Sequence, residues 1–513
     1  QLNNRSKLYE IWKLYSPKIY NIVFSLPAVL LWLLLAIRAF THFDTSWDSM
    51  YYHLPFASRL AGIFPKSGYL FYSHLEPLFD GMPKLAEMIQ GFLWRTTGII
   101  STANFFGYFS ILLLTILVST RLKIQFWMVT LFFFSIPLVL LHSVTSYTDL
   151  PANSFLSMAL VNLIYAINQK NFGNKNLFFI LLPLDIAANI KFQAVEIAAP
   201  FWILTFIVFL IMNREIIRGN DKIIKRRFFT GFMLVNLISV ILFGLNYLVN
   251  TYRFNNPFYP LSIRVGNFQL TGPYQGQIII NNPLSIQRST ELNTADRSNF
   301  KNYLLSLSEF PLWTNNTGTL WNVEMASVWA NNKLQAYKSG GFFAGNLALW
   351  FAFLLVSISV TKKKETIAGF LFILSYFIFT GLLPSSFLLR YWLFLPLNLA
   401  IILLWTIKNN PVEMLPVKKL VLILQICLFS FVIFQNINFF TSIPWKINFR
   451  SPIVNYGSMF QVYKIKVQSS DFVCVIGDTK QGFKYKLANP EMKIESAVNQ
   501  ELCQSSTYVI SDK

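Results

Sequence analysis

The sequence predicts a polytopic α-helical membrane protein of about eleven spans, completed by a small α/β domain at its C-terminal end. Three observations predict it. Of 513 residues, 54% are hydrophobic and only 13% are charged, where an ordinary soluble domain carries about a quarter charged residues. Several apolar runs reach about 20 residues, the length that crosses a bilayer core. Basic residues recur in alternate connections between those runs. A mean hydropathy of +0.46 agrees. The net charge of +20 is then read as loops held on one membrane face, and not as a nucleic-acid surface.

The first 20 residues are polar and basic and run into the first apolar stretch with no small-residue cleavage site, so no cleavable signal peptide is expected. Spans are expected at about 21–40, 101–120, 124–143, 151–169, 176–192, 195–212, 229–249, 341–360, 367–385, 391–407 and 420–440. The fifth and sixth are almost contiguous and read as a short helical hairpin. The N-terminus and the segments 121–123, 170–175, 214–228, 361–366 and 408–419 are all basic. They define the cytoplasmic side. Residues 41–100, 250–340 and 441–513 then face outward, which divides the chain into a membrane domain (1–440) and a small extracytoplasmic domain (441–513).

The first outer loop is expected to hold two short surface helices. "PFASRLAG" starts with Pro55 and stops at Gly62; "GMPKLAEMIQGFLWRTTG" starts near Pro83 and stops at Gly98. The tail carries β-like runs, "FVCVIG" and "STYVISD", among polar residues. Cys474 and Cys503 lie there and either pair or stay free; Cys427 sits in an apolar run and is expected to pack. The 51 phenylalanines are read as lipid-facing and interhelical packing. No internal repeat is visible.

Ionisable residues at span ends away from the basic side are the informative ones, because charge near lipid is expensive. Asp44 and Asp48 follow the first span in "FDTSWDSMYYHLPF". Asp149 lies in "SYTDLPAN", Lys191 in "DIAANIKFQAV" and Arg390 in "SSFLLRYWLFLP". By the topology above all five lie at one depth. Acids there suit activation of a hydroxyl, and cations suit a phosphate. Each has an ordinary alternative: Asp44 as a helix cap, Asp149 as the N-cap of its span, Lys191 as a snorkelling side chain, Arg390 as an interfacial anchor. His53 and His74 read as structural or substrate-contacting. Four histidines in all make a His-rich metal site an unlikely use of them.

In order along the chain, "WDSMYYHLPFASRL", "YTDLPANSFLSMALVNLIYA", "LDIAANIKFQA", "NNPFYPL" and "LLRYWLFLPLNLAIIL" resemble motifs of the GT-C superfamily of membrane glycosyltransferases. The likeness is to the bacterial branch related to lipid A aminoarabinose transferase and protein O-mannosyltransferase, and covers roughly residues 20–410. The resemblance implies a GT-C-like fold. It also implies transfer of a sugar from a polyprenyl-phosphate donor to a lipid, glycan or protein acceptor outside the cytoplasm, with inversion. It makes Asp48 the general base, with Asp149 supporting the site through a hydrogen bond or as a metal ligand. Lys191 and Arg390 become the cations that meet the departing lipid phosphate. Trp47, Tyr51, Tyr52, His53, Tyr259 and Tyr391 become substrate contacts. Many relatives have adjacent acids in the first loop; here Asp44 and Asp48 are four apart and share a face only if that loop is helical. A divalent ion, if one is used, would fall to Asp48 and Asp149. Two other classes remain: a lipid-linked glycan transporter, and a non-catalytic GT-C-like subunit. Acids gathered at one surface and the lack of repeats speak against the transporter.

Overall fold

The structure is a computed structural model and describes residues 23–71, 75–170, 172–219, 221–265, 268–279, 299–308, 327–330, 333–336, 344–383, 386–435, 463, 465, 472–476, 479–497, 503 and 508–511. Nine helices among the described residues are long and apolar enough to cross a bilayer. The chain is a multi-pass helical membrane protein.

The first span is α1 (Val23–Thr41). Beyond it a wide π-type turn, Ser49–His53, runs into α2 (Leu54–Leu60), which has Pro55 in its first turn. After β1 (Tyr69–Leu70) and α3 (Leu75–Gly81) comes α4 (Leu85–Thr97), closed by Gly98 at φ 71°. Both expected surface helices are present, and both glycine stops adopt the left-handed conformation that suits a residue without Cβ. A 3-10 turn leads into α5 (Phe105–Leu122).

The expected span at 124–143 is broken. It forms α6 (Phe126–Phe134) and α7 (Pro137–His142). Pro137 has no N–H to continue the ladder, and Ile136 turns extended before it. The Ser135 carbonyl at the break is met by Asn346 Nδ2 at 2.6 Å, and its hydroxyl by Gln425 Nε2 at 2.7 Å. A freed backbone group inside an apolar bundle needs such a partner.

Next come α8 (Asp149–Asn168), α9 (Asn174–Ile190) and α10 (Phe192–Met212). Between α9 and α10 only Lys191 is extended, at φ −152° and ψ 139°, so the expected hairpin turns on that residue. After α11 (Arg214–Arg218) comes α12 (Lys222–Phe254), N-capped by Asp221, which accepts from the Ile223 and Ile224 N–H groups. At 33 residues it is longer than the expected 229–249; at 1.5 Å per residue it measures roughly 50 Å and overshoots a 30 Å hydrocarbon core.

The segment after α12 holds a three-stranded sheet, β2 (Leu261–Val265), β3 (Phe268–Leu270) and β4 (Tyr274–Ile279), then α13 (Asn299–Leu307) and the hairpin of β5 (Ser327–Ala330) with β6 (Lys333–Ala336). The bundle is completed by α14 (Ala344–Thr361), α15 (Lys364–Leu382), α16 (Phe394–Asn409) and α17 (Leu415–Gln435). Cys427, expected to pack, is exposed on α17, a helix that turns most of its apolar surface outward.

Lysines close one end of the bundle. Lys408 Nζ donates to the Leu122 carbonyl and Lys418 Nζ to the Asn410 carbonyl, each at 2.7 Å. Cations at helix C-termini satisfy orphan carbonyls and favour the dipole.

The tail forms β7 (Phe472–Ile476), α18 (Thr479–Ala488), β8 (Lys493–Ala497) and β9 (Tyr508–Ser511). Its parallel sheet has the order β1–β8–β7–β9, so one edge strand comes from the first outer loop. Cys474 and Cys503 are joined by a disulfide. Met50, Leu54, Phe56 and Tyr69 of the loop share one core with Val473, Phe483 and Ile494 of the tail. The expected domain boundary near 440 lies outside the described residues.

Candidate functional site

Four chain segments meet at the end of the bundle away from the lysine caps. Asp48 precedes the π-type turn, Asp149 opens α8, Lys191 is the link between α9 and α10, and Arg390 lies in the 3-10 turn Leu389–Trp392 before α16. The structure brings all four together. Asp48 Oδ2 lies 2.9 Å from an Arg390 Nη. Lys191 Nζ is ion-paired to Asp149 Oδ1. Tyr391 joins the two pairs: its ring lies under Lys191 Nζ at 4.2 Å and 5.0 Å from the Arg390 guanidinium carbon, and its hydroxyl accepts from Arg390 at 3.2 Å.

The two pairs differ in access. The Asp149 side chain is 0% exposed and that of Lys191 9%, whereas Asp48 is 14% and Arg390 11% exposed. The first pair is therefore sealed and the second borders open space. A buried carboxylate is tolerated only when paired, which accounts for Lys191 turning inward instead of snorkelling. The alternatives of a lone anchor for Arg390 and a simple cap for Asp149 are both superseded by these partners.

Two residues at the site had no signal in the sequence. Asn153, one turn into α8, donates to the Asp149 carbonyl at 2.7 Å and the Tyr391 carbonyl at 3.2 Å, and accepts from the Phe394 N–H at 2.9 Å. It thereby staples α8 to the start of α16. Tyr147 lies with its ring 5.1 Å from the Arg390 guanidinium carbon. Burial, then the Asp48 charge, raises its phenol pKa.

Tyr52 is held in the field of Asp48, Tyr391, Arg390 and Asp149, and burial followed by Asp48 raises its pKa well above the ordinary phenol value. It stays a neutral hydrogen-bonding group. His53 is buried, with its Nδ1 2.7 Å from Glu87 Oε1 of α4 and its ring 4.1 Å from that of Tyr52. Trp47 is 52% exposed and stacks on Tyr51 at 5.4 Å. Tyr259 stacks on Phe254 at 3.7 Å and its carbonyl lies against Gly81; none of its contacts among the described residues is to the four. His74 lies outside the described residues.

Asp44 belongs to neither ion pair. It is 2% exposed and accepts hydrogen bonds from Ser46 and Ser49 of its own loop and from Ser146 before α8. Burial raises its pKa; nearby His42 and the bonds from Ser46 and Ser49 reverse that, and the net direction is down.

The donors present do not fit a divalent ion. Asp48 and Asp149 are each neutralised by a cation, and no three His, Cys, Asp or Glu side chains converge among the described residues.

A cavity of about 470 Å³ lies between α4, α9 and α12. Leu182, Ile186, Leu242 and Leu245 form apolar walls, with two cations, Lys84 and Arg253, and two acids, Asp80 and Asp185. Asn189, two residues before Lys191, also lines it.

A helical bundle, and a small parallel sheet shared by the segment after the first span and the tail, give this chain a GT-C-like fold. No family model and no curated protein matches the sequence. Among solved structures the chain is similar to ArnT from Cupriavidus metallidurans bound to undecaprenyl phosphate, with TM-score 0.52, 9% identity, and 93% of this chain and 85% of that chain covered. The apo state of ArnT from the same organism gives TM-score 0.52 and 9% identity over 94% and 87% of the two chains.

Proposed function

We propose that this protein is an integral-membrane glycosyltransferase that moves a sugar from a polyprenyl-phosphate donor to a lipid, glycan or protein hydroxyl on the extracytoplasmic side. The single observation that carries this reading is the pairing of Asp48 with Arg390 at the open side of a cluster otherwise sealed by Asp149 and Lys191. A carboxylate and a guanidinium 2.9 Å apart supply a base and an anion site side by side.

In this reading Asp48 accepts the proton of the acceptor hydroxyl as its oxygen bonds to the anomeric carbon. The bond from that carbon to the phosphate oxygen breaks on the opposite face, which inverts the centre. The electron pair leaves with the lipid phosphate, and Arg390 and Lys191 meet the growing charge. A guanidinium has five N–H donors, so Arg390 can serve Asp48 and a phosphate together. Asp149 holds Lys191 in place, and Tyr52 and Tyr391 offer hydrogen bonds to the sugar. The apolar walls of the cavity fit a hydrocarbon chain, and Lys84 and Arg253, balanced by Asp80 and Asp185, give it a polar rim. The similarity to a structure that holds undecaprenyl phosphate supports a lipid of that kind. The lysine-capped end is the cytoplasmic one, by the positive-inside rule.

The test is made in a deletion strain. Mass spectrometry of its glycolipids and glycans should show one sugar missing, restored by the wild-type gene. Asp48→Asn should restore less than about one-hundredth of it, since a positioned base contributes at least about 100-fold. Full restoration by Asp48→Asn would refute the base assignment, and a loss confined to movement of an intact lipid-linked glycan would favour a transporter.

A further inference from the structure

Asp44 makes more hydrogen bonds than any helix cap needs, and they reach two separate segments. Its Oδ1 accepts from the Ser46 N–H at 3.0 Å. Its Oδ2 accepts from Ser49 Oγ, from the Ser146 N–H at 2.9 Å and from Ser146 Oγ at 3.0 Å. Ser46 Oγ donates in turn to Ser49 Oγ at 2.8 Å, and Gln90 Nε2 of α4 donates to the Ser146 carbonyl at 2.7 Å. Asp48 follows Ser46 by two residues, and Asp149 follows Ser146 by three.

We propose that Asp44 is a positioning residue that locks the segment carrying Asp48 to the turn carrying Asp149. Its effect on transfer rests on the glycosyltransferase reading; its effect on the two segments does not.

The bonding pattern specifies a carboxylate. Each of its oxygens faces a backbone N–H, Ser46 on one side and Ser146 on the other. Backbone donors cannot turn away. An asparagine would set its NH₂ against one of them whichever way its amide is flipped, and would lose a charge-assisted bond in a buried site. A plain N-cap accepts asparagine as readily as aspartate, so the Asp44→Asn exchange separates the two roles.

The measurement is amide hydrogen exchange, read by mass spectrometry, on full-length wild-type, Asp44→Asn and Ser49→Ala proteins in detergent. Losing a buried charge-assisted bond should speed exchange by about tenfold or more. In Asp44→Asn this rise is expected in peptides covering 43–56 and in peptides covering 143–149, with α8 and α16 unchanged. Ser49→Ala keeps the charge and one fewer donor, and gives a smaller rise in the first segment; it carries the test if Asp44→Asn does not fold. The same proteins are assayed for undecaprenyl phosphate binding and for sugar transfer in the complemented strain. Affinity within about twofold of wild type, with transfer down about tenfold or more, is expected of a residue that positions a base without touching the lipid. The proposal is overturned if exchange in Asp44→Asn rises in 43–56 alone, if Ser49→Ala leaves exchange in 43–56 unchanged, or if affinity and transfer fall together. If wild-type protein transfers no sugar, the transferase reading fails while the exchange result still stands by itself.

Discussion

His42 stands next to this hub and turns it into a pH-sensitive point. Burial first, and Arg38 second, lower its pKa to about 3, while Asp44 opposes them. The folded protein therefore keeps the imidazole neutral at pH values where the unfolded chain, titrating near the ordinary 6.5, takes up a proton. Between about pH 6.5 and about pH 3 the unfolded state binds more protons, so stability falls as pH falls through that window. Thermal unfolding of detergent-solubilised protein should lose midpoint temperature from about pH 7 to about pH 5, and His42→Gln should flatten that loss; equal slopes in the two proteins would remove His42 as a cause. The residue scale was also where the sequence was most legible. Asp48, Asp149, Lys191 and Arg390 stood out because few other charges lie at that depth, and a charge near lipid needs a reason. Their pairing was not legible, since which cation meets which acid is set by helices far apart in the chain. Asn153 and Tyr147 were invisible for the opposite cause: an amide and a phenol are ordinary residues at helix starts.

Helix contacts at the element scale depend on two glycines of opposite meaning. A Cβ at Gly91 of α4 would lie 2.4 Å from the Ala57 carbonyl oxygen of α2, a backbone atom that cannot swing aside. At Gly244 of α12 the nearest atom is a flexible Leu248 methyl at 3.4 Å. Alanine in place of glycine gains about 1 kcal/mol of helix propensity at either site. Overpacking at Gly91 costs about 1–3 kcal/mol and outweighs it. Gly91→Ala should thus lower the unfolding midpoint and Gly244→Ala hold or raise it; the same sign for both would mean that the approach of α2 to α4 is not tight. This close approach matters because α4 carries both Glu87, which holds His53, and Gln90, which holds Ser146. Element boundaries were legible where local chemistry decides them, as at Pro55, Gly62 and Gly98. The break at Pro137 was written in the sequence too, but a continuous apolar run around it read as one span. What permits the break, Asn346 and Gln425 on distant helices, has no local trace.

Taken as a whole, the molecule supplies its four charged residues from two bodies with different cores. Asp149, Lys191 and Arg390 are placed by packed spans, through α8, the α9–α10 link and the start of α16. Asp48 is placed by the first outer loop, and that loop shares its core with the tail. The sharing was not foreseeable: β1 is two residues long, and a parallel pairing with β8 more than four hundred residues later carries no local signal. Phe483 is at the centre of the joint. It is fully buried, with its ring 5.9 Å from Tyr69 and 6.3 Å from Phe64, and α18 that carries it packs against the turn Ser49–His53. Removing a buried phenylalanine costs about 3–5 kcal/mol, here charged to the loop–tail joint and not to the spans. Phe483→Ala should therefore loosen Asp48 while leaving the two cations in place. On the proposed transferase reading, affinity for undecaprenyl phosphate as a probe should stay within about twofold of wild type and sugar transfer fall about tenfold or more, a split expected when Asp48 as base is displaced and the cations are not. Breaking the tail a second way, with Cys474→Ser, should act in the same direction because it frees Cys503 from β7. Unchanged transfer in both variants would make the tail a separate module with no hold on Asp48, and equal losses of affinity and transfer would place the damage in the spans.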